Sequence, residues 1–172
     1  IFVEGGAGAD LYVDDVQVID NSASNLLPDG TFEAGQGGWF GWNNTSLSVV
    51  SGYAHSGSRS LVSANRTQNG SMARTVTSLV SPGQAYQANF WVSVDGIAAG
   101  SAAVNVTKKI TCNGSTSYSW LGQVTVNNGQ WASIAGPVDL ASCSTVGEVT
   151  LYAEGPTSGS LYVDDVSLSL AR

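Results

Sequence analysis

The sequence is short of basic residues. Six Lys and Arg stand against 13 Asp and Glu in 172 residues, and the formal net charge is −7. A nucleic-acid-binding protein neutralises phosphates with a basic surface, and a protein held at an anionic membrane needs a basic cluster. We therefore expect neither nucleic acid nor membrane as a partner.

The chain also lacks long hydrophobic runs. No stretch of about 18 apolar residues is present, which argues against a membrane-spanning helix. The opening residues, Ile1 to Glu4, show neither the basic nor the apolar region of a signal peptide. We interpret the sequence as a soluble piece of a longer, secreted protein, and its length suits one complete domain plus an additional segment.

Residues that commonly carry catalysis are scarce. The single histidine, His55, has no G-x-S-x-G nucleophile motif to serve, and one His with two Cys is too few for a typical zinc site. Acidic residues are plentiful, but no arrangement of them indicates glycoside hydrolysis. The sequence therefore predicts a protein that is not an enzyme.

The two cysteines, Cys112 and Cys143, lie among polar turn residues. Placement of this kind favours a disulfide, although two separate reduced thiols would give the same sequence. A bridge closing that loop would stabilise the fold by roughly 3 to 4 kcal/mol, which suits an extracellular protein.

Short alternating segments rich in Val, Tyr, Trp and Thr recur along the chain, separated by Gly, Pro, Asn and Ser. Alternation of this kind predicts β-strands, and no window has a sustained helical period. The predicted strands are 47–50, 72–76, 85–94, 102–107, 121–126, 148–152 and 161–170. We expect an all-β fold, an antiparallel β-sandwich with one apolar core between two sheets.

The six residues LYVDDV occur twice, at 11–16 and at 161–166. When residues 1–15 are aligned with 151–165 without a gap, ten of the fifteen pairs are identical or exchange one apolar residue for another. We interpret residues 1–20 as the C-terminal strands of a preceding copy of the same module, 21–25 as a polar linker and 26–172 as a complete module.

Several motifs of the complete module occur in a familiar order. They are NLLPDGTFEAGQGGW, AHSGSRSL, YQANFWVSV, GQWASIAG and LYAEGPTSGSLYVDDVSL. Over residues 26–170 this pattern resembles the β-sandwich carbohydrate-binding modules of families 4, 9, 16 and 22, of jelly-roll type. Tandem copies beside a catalytic domain are typical of family 22, the xylan-binding group, which the chain resembles most.

The resemblance implies a non-catalytic module that directs an appended polysaccharide-degrading enzyme to a plant or algal cell-wall polysaccharide, with xylan as the first choice. Binders of β-1,3-glucan, mannan or glucomannan, cellulose or alginate remain alternatives. So do a structural spacer or adhesion domain and a small β-sandwich lyase or hydrolase.

Binding a sugar requires flat rings for its C–H face and polar groups for its hydroxyls. Trp42, in a polar stretch, is a candidate ring, although it could also serve as a lid over the sandwich end. Tyr118 and Trp120 would share one face of a strand, because strand side chains alternate. They could form a platform for a sugar, unless one of them is in the core.

Further sugar-binding residues follow from the family resemblance. In family 22 a late strand supplies an aromatic residue and a carboxylate, matched here by Tyr152 and Glu154. The family pattern Arg-Thr-x-x-Trp-x-Gly appears as Arg66 to Gly70 without its Trp. Arg66 can be carried over, Gln68 and Asn69 could bind hydroxyls, and Trp42 or Trp120 could replace the missing ring.

Other aromatic residues are expected to pack. Trp39 fits the buried Gly-Trp pair of the family, and Tyr86 and Trp131 match its packing positions. Trp91, within the alternating segment Ala88 to Val92, is predicted to be in the core.

The resemblance also implies a structural calcium ion where the first and last strands meet. Calcium takes oxygen ligands from carboxylates and carbonyls. The expected donors are the side chains of Glu33 and Asp164 or Asp165 and the carbonyls of Thr31 and Ser58. Asp14 and Asp15 repeat the acidic pair without a partner Glu, so we expect no complete metal site there.

The alternating segment from Leu11 to Ile19 is too apolar to remain ordered alone in water. We expect it to add to a sheet edge, either in its own chain or in a neighbour. A strand-exchanged dimer through residues 1–20 is one form of this hypothesis.

Overall fold

The computed structural model describes residues 24–64, 66 and 70–171. In this part of the chain the regular elements are β-strands and one short 3₁₀ turn, Thr77–Leu79. The strands are β1 Trp39–Trp42, β2 Ser48–Ser51, β3 Arg59–Ala64, β4 Ser71–Thr75, β5 Ala85–Asp95, β6 Ser101–Cys112, β7 Ser115–Asn127, β8 Trp131–Asp139, β9 Val146–Glu154 and β10 Ser160–Leu170. No helix in these residues is long and apolar enough to span a membrane.

The strands form two antiparallel sheets of five strands each. The front sheet has the order β1-β4-β9-β6-β7, and the back sheet has the order β2-β3-β10-β5-β8. Alternating residues of both sheets meet in one core, as Phe90, Val92 and Val94 do on β5. The prediction of an all-β antiparallel sandwich is therefore confirmed.

All of the predicted strands are present, most of them longer than expected. The strands Trp39–Trp42, Arg59–Ala64 and Trp131–Asp139 were not predicted. The last contains Pro137, which the sequence pattern counts against a strand. Because β8 lies at the edge of the back sheet, it can accommodate a residue without an N–H donor.

A tight hairpin sets the register of the front sheet. Asn113 and Gly114, at φ 51° and 79°, form the two-residue turn between β6 and β7. Both residues have positive φ, as the turn that matches the strand twist requires. The resulting register places Thr107 opposite Trp120 and Lys109 opposite Tyr118.

The disulfide prediction is confirmed. Cys112, at the end of β6, is bonded to Cys143 in the loop before β9, with Cα atoms 5.3 Å apart. No free cysteine is found among the described residues.

The residue at the predicted boundary between linker and module is hydrogen-bonded to the last strand, β10. The Asn25 side chain accepts hydrogen bonds from the backbone N–H of Leu27 and of Leu168, and it donates to the Val166 carbonyl. Asn25, assigned to the linker by sequence, is therefore fixed to β10 of the module. The segment assigned to a preceding copy, 1–20, lies outside the described residues and stays a prediction.

Candidate functional site

Strands of the front sheet bring aromatic and polar side chains together on its outer face. Tyr152 of β9 is paired with Ala73 of β4 and Thr107 of β6, and Thr107 is in turn opposite Trp120. A cavity of about 170 Å³ opens on this face. We call it the aromatic trough; it is lined by Trp42, Ser71, Thr107, Tyr118, Tyr152 and Glu154.

The rings at the rim of the aromatic trough are exposed. Trp42, on edge strand β1, is 49 % exposed, and Tyr118, on edge strand β7, is 63 % exposed. Trp120, 62 % exposed, lies on the same face as Tyr118, as the sequence predicted, but does not line the cavity. Neither ring of this pair is in the core, and Trp42 is available at the surface.

Tyr152 is placed differently from these rings. It is only 6 % exposed and packs edge-to-face against Trp42, with ring centroids 5.8 Å apart. Burial raises the pKa of its hydroxyl. Tyr152 therefore supports Trp42 from beneath and offers a ligand less surface than the predicted stacking role assumed.

Glu154 is held from one side. Its Oε2 accepts hydrogen bonds from Asn105 Nδ2 and from Thr107 Oγ1, both at 2.6 Å. None of the described residues donates to Oε1, and Glu154 lines the aromatic trough. The carboxylate is thus oriented by two neighbours on β6 while one oxygen can accept further hydrogen bonds.

Arg66 is buried and joins two loops. It is 5 % exposed, and its guanidinium donates to the carbonyl oxygens of Gly70, Gly155 and Pro156. Burial lowers the pKa of Arg66, and the charge of nearby Glu154 opposes that shift. These contacts indicate that the terminal NH groups of Arg66 hold the two loops in position. Gln68 and Asn69, the other predicted hydroxyl binders of this segment, lie outside the described residues.

Three residues of the site were missed by sequence reasoning: Ser71, Asn105 and Thr107. They are small and polar, and nothing in their local sequence separates them from other strand residues. Their positions depend on the register of β4, β6 and β9.

Trp91 was predicted to be in the core, and this is wrong. It lies half-buried on the outer face of the back sheet, where the ring of His55 stacks on it at 3.7 Å. Trp131, expected to pack, is also half-buried and contacts Tyr53 and His55. The loop containing Tyr53 and His55 covers this outer face and partly buries Trp91. The alternation along β5 was therefore read correctly as two faces, but Trp91 was assigned to the face that meets the core instead of the outer one.

The predicted calcium donors surround the same loop. Glu33 accepts hydrogen bonds from the Ser58 N–H, the Ser58 hydroxyl and the Arg59 N–H, and these bonds lower its pKa. Buried Asp164 accepts from the N–H groups of His55 and Ser56, although burial itself raises its pKa.

The remaining predicted donors are also engaged or exposed. Asp165 bonds the His55 ring and the Ser56 hydroxyl, the Ser58 carbonyl accepts from the Gly52 N–H, and Thr31 is exposed. Among the described residues no three His, Cys, Asp or Glu side chains form a metal-binding group. The predicted carboxylate donors are thus engaged by N–H and hydroxyl groups of this loop, and the calcium ion stays a prediction.

Comparison with known proteins identifies relatives of the chain. Residues 24–159 match the family described as carbohydrate binding domain. Endo-1,4-beta-xylanase A of Thermotoga maritima is 30 % identical over 162 residues, which are 91 % of this chain and 15 % of the xylanase. The chain therefore spans a small part of this relative's length.

Solved structures share the fold. The CBM22-2 xylan-binding domain from Paenibacillus barcinonensis Xyn10C superposes with a TM-score of 0.74 at 23 % identity, over 83 % of this chain and 98 % of that one. The tandem CBM22-1-CBM22-2 domain of the same protein gives a TM-score of 0.79 at 22 % identity, over 89 % and 51 %. At these identities the likeness establishes the sandwich fold.

Proposed function

The chain belongs to the carbohydrate binding domain family, and from that premise we propose that it binds xylan and keeps an appended enzyme close to this polymer. The module itself is not catalytic. Linking a binding module to an enzyme raises the effective concentration of substrate at the active site without any new catalytic group.

One observation carries this proposal: exposed rings stand at the rim of the aromatic trough above a small polar floor. Trp42 and Tyr118 can cover the C–H face of a sugar, while Ser71, Thr107 and Glu154 can bind its hydroxyls. This division between flat apolar rings and a few fixed polar groups is what saccharide recognition needs.

Charge in the trough favours a neutral polymer. Among the described residues that line it, Glu154 alone is charged. A carboxylate in this position repels the uronic acids of alginate but accepts hydrogen bonds from neutral hydroxyls. We propose xylan before glucans and mannans because the Thermotoga maritima relative is named as a xylanase.

One observation supports a module without catalysis. Glycoside hydrolysis uses a pair of carboxyl groups across the scissile bond. Within the described part of the chain, no second carboxylate lines the trough beside Glu154. A purely structural spacer is the second candidate, and it would leave the exposed rings without a role.

Affinity electrophoresis against xylan, laminarin, glucomannan and alginate tests the proposal. We expect xylan to retard the protein without release of reducing ends. The matched variants Trp42→Ala and Trp91→Ala remove one ring from each sheet, and only the first should abolish retardation. Equal mobility in every gel would support the spacer, whereas reducing ends or unsaturated products would indicate an enzyme.

Other predictions from the sequence remain part of the proposal. We expect the parent protein to be secreted, residues 1–20 to belong to a preceding copy, and that segment to pair with a sheet edge, as in a strand-exchanged dimer. Light scattering on chains with and without residues 1–20 tests the dimer. A structural calcium ion would raise the melting temperature in CaCl₂ over that in EDTA.

A further inference from the structure

A turn with a rare backbone conformation begins at Trp42. Asn43 and Asn44 have φ angles of 53° and 59°, and the Thr45 N–H donates a hydrogen bond to the Trp42 carbonyl at 3.3 Å. Positive φ at both central residues is the signature of a type I′ turn. We call the segment from Trp42 to Thr45 the Asn turn, and the Trp42 ring projects from its first residue.

The chain returns tightly after the Asn turn. A Cβ atom placed on Gly41 would collide with the carbonyl oxygen of Thr45, so the returning segment lies directly against β1. Thr45 is buried in this position. The close approach requires glycine at position 41, and it fixes the path of the backbone on both sides of Trp42.

The conformation of the Asn turn restricts which residues can form it. Residues other than Gly rarely adopt positive φ, and Asn is among the most tolerant of them. In the part of the chain that the structure describes, Asn43 and Asn44 form the one adjacent pair of non-glycine residues with positive φ. Asn is stiffer than Gly, which has more backbone conformations to lose. The Asn turn therefore holds the left-handed conformation with less freedom than a glycine turn would.

The Trp42 ring needs such a support because little else holds it. The ring is exposed at the end of edge strand β1, which is paired on one side, where Trp42 lies opposite Ser71. It packs edge-to-face against Tyr152 beneath it. The side chain can keep this orientation only if the backbone at Trp42 is fixed, and the Asn turn supplies that constraint.

We propose that Asn43 and Asn44 are positioning residues for saccharide binding, because their left-handed turn fixes the Trp42 ring over Tyr152 before a ligand arrives. This inference rests on the proposed saccharide binding of the trough. Neither Asn is among the described residues that line the trough. A ring fixed in advance loses less freedom when a sugar stacks on it, so the turn raises affinity through Trp42 and not by touching the ligand.

Isothermal titration calorimetry with xylohexaose tests the inference on three substitutions of one exposed residue, Asn44. Asn44→Val opposes positive φ with a branched side chain, Asn44→Ala opposes it less, and Asn44→Gly permits it. Gly83→Val is the matched control. Gly83 has a φ of 76°, no described atom lies within 4 Å of a Cβ placed there, and it does not line the trough.

We expect Asn44→Val to weaken xylohexaose binding about three- to tenfold, the range of one aromatic stacking contact, with Asn44→Ala intermediate and Asn44→Gly within about twofold of the wild type. Gly83→Val should lower the melting temperature but keep wild-type affinity. In NMR spectra, the nuclear Overhauser contacts between the Trp42 indole and the Tyr152 ring should weaken in Asn44→Val and persist in Asn44→Gly.

Three outcomes would overturn the inference while leaving the proposed function intact. Wild-type affinity in both Asn44→Val and Asn44→Ala would show that the turn does not act on binding. Equal losses in Asn44→Gly and Asn44→Val would assign the Asn44 amide to direct contact with the sugar. An equal loss in Gly83→Val would assign the effect to general destabilisation.

Two further results keep the experiment decisive. If Asn44→Val does not fold, the comparison of Asn44→Ala with Asn44→Gly decides in the same way. Failure of the wild-type protein to bind xylohexaose would remove both the inference and the proposed function.

Discussion

Glu154 provides a sharp test of how the trough recognises hydroxyl groups. Its Oε2 is occupied by Asn105 and Thr107, so a sugar is expected to donate to Oε1. A hydrogen bond to a charged group contributes roughly 1.5 to 3 kcal/mol. Glu154→Ala should therefore weaken xylan-oligomer binding roughly 10- to 150-fold in calorimetry.

Glu154→Gln should have a smaller effect for a geometric reason. The amide oxygen of Gln can accept from Asn105 and Thr107, which leaves its NH₂ group toward the sugar. A neutral bond then replaces a charge-assisted one, a loss of about 1 kcal/mol or about fivefold in affinity.

The control is Glu148→Gln, on the same strand but bonded to Lys109. Its affinity should match that of the wild type. If Glu154→Ala binds within twofold of the wild type while remaining folded, the reasoning about Oε1 is refuted.

Further predictions concern stability. Replacing Cys112 and Cys143 by Ala should cost about 3.7 kcal/mol for a separation of 31 residues, or roughly 7 to 15 °C in melting temperature, with xylan retardation unchanged; a loss below about 1 kcal/mol would contradict the chain-entropy account. The hydrogen bond from Lys109 lowers the pKa of Glu148 from its usual 4.5, and the same bond raises the pKa of Lys109 above 10.5. The ion pair therefore contributes its full stabilisation between pH 4.5 and pH 10.5. This contribution is lost on acidification, when Glu148 takes up a proton, and in alkali, when Lys109 releases one. Urea unfolding at several pH values should show that both the acid and the alkaline loss of stability are smaller in Glu148→Gln. Trp91→Ala should lower the free energy of unfolding by roughly 2 kcal/mol, about half the cost for a fully buried Trp, without changing sugar affinity.

The fold could be predicted because its signals are local. Alternation of Val, Tyr and Trp with polar residues marked strands such as Ala85–Asp95, and the Asn113-Gly114 turn joins two of them. Short strands with mixed composition, such as Arg59–Ala64, were not predicted. Pairing with a strand on each side stabilises them, and a local sequence pattern does not show such pairing. Trp91 was misassigned because alternation defines two faces but not which of them meets the core.

The site was only partly predictable for a related reason. Tyr118, Trp120 and Glu154 could be proposed from residue type and resemblance, and they do lie on the front sheet. Asn105 and Thr107 reach Glu154 only through strand pairing between β6 and β9, which joins positions far apart in sequence. The covered position of Tyr152 likewise depends on the packing of Trp42 above it.

The most direct test of saccharide binding at the front sheet is chemical-shift mapping by NMR during titration with xylohexaose. We expect the largest changes in the indole of Trp42 and in the backbone amides of Thr107, Tyr118 and Glu154, with the signals around Trp91 unaffected. Changes confined to the back sheet around Trp91, or no changes at saturating oligosaccharide, would contradict the account.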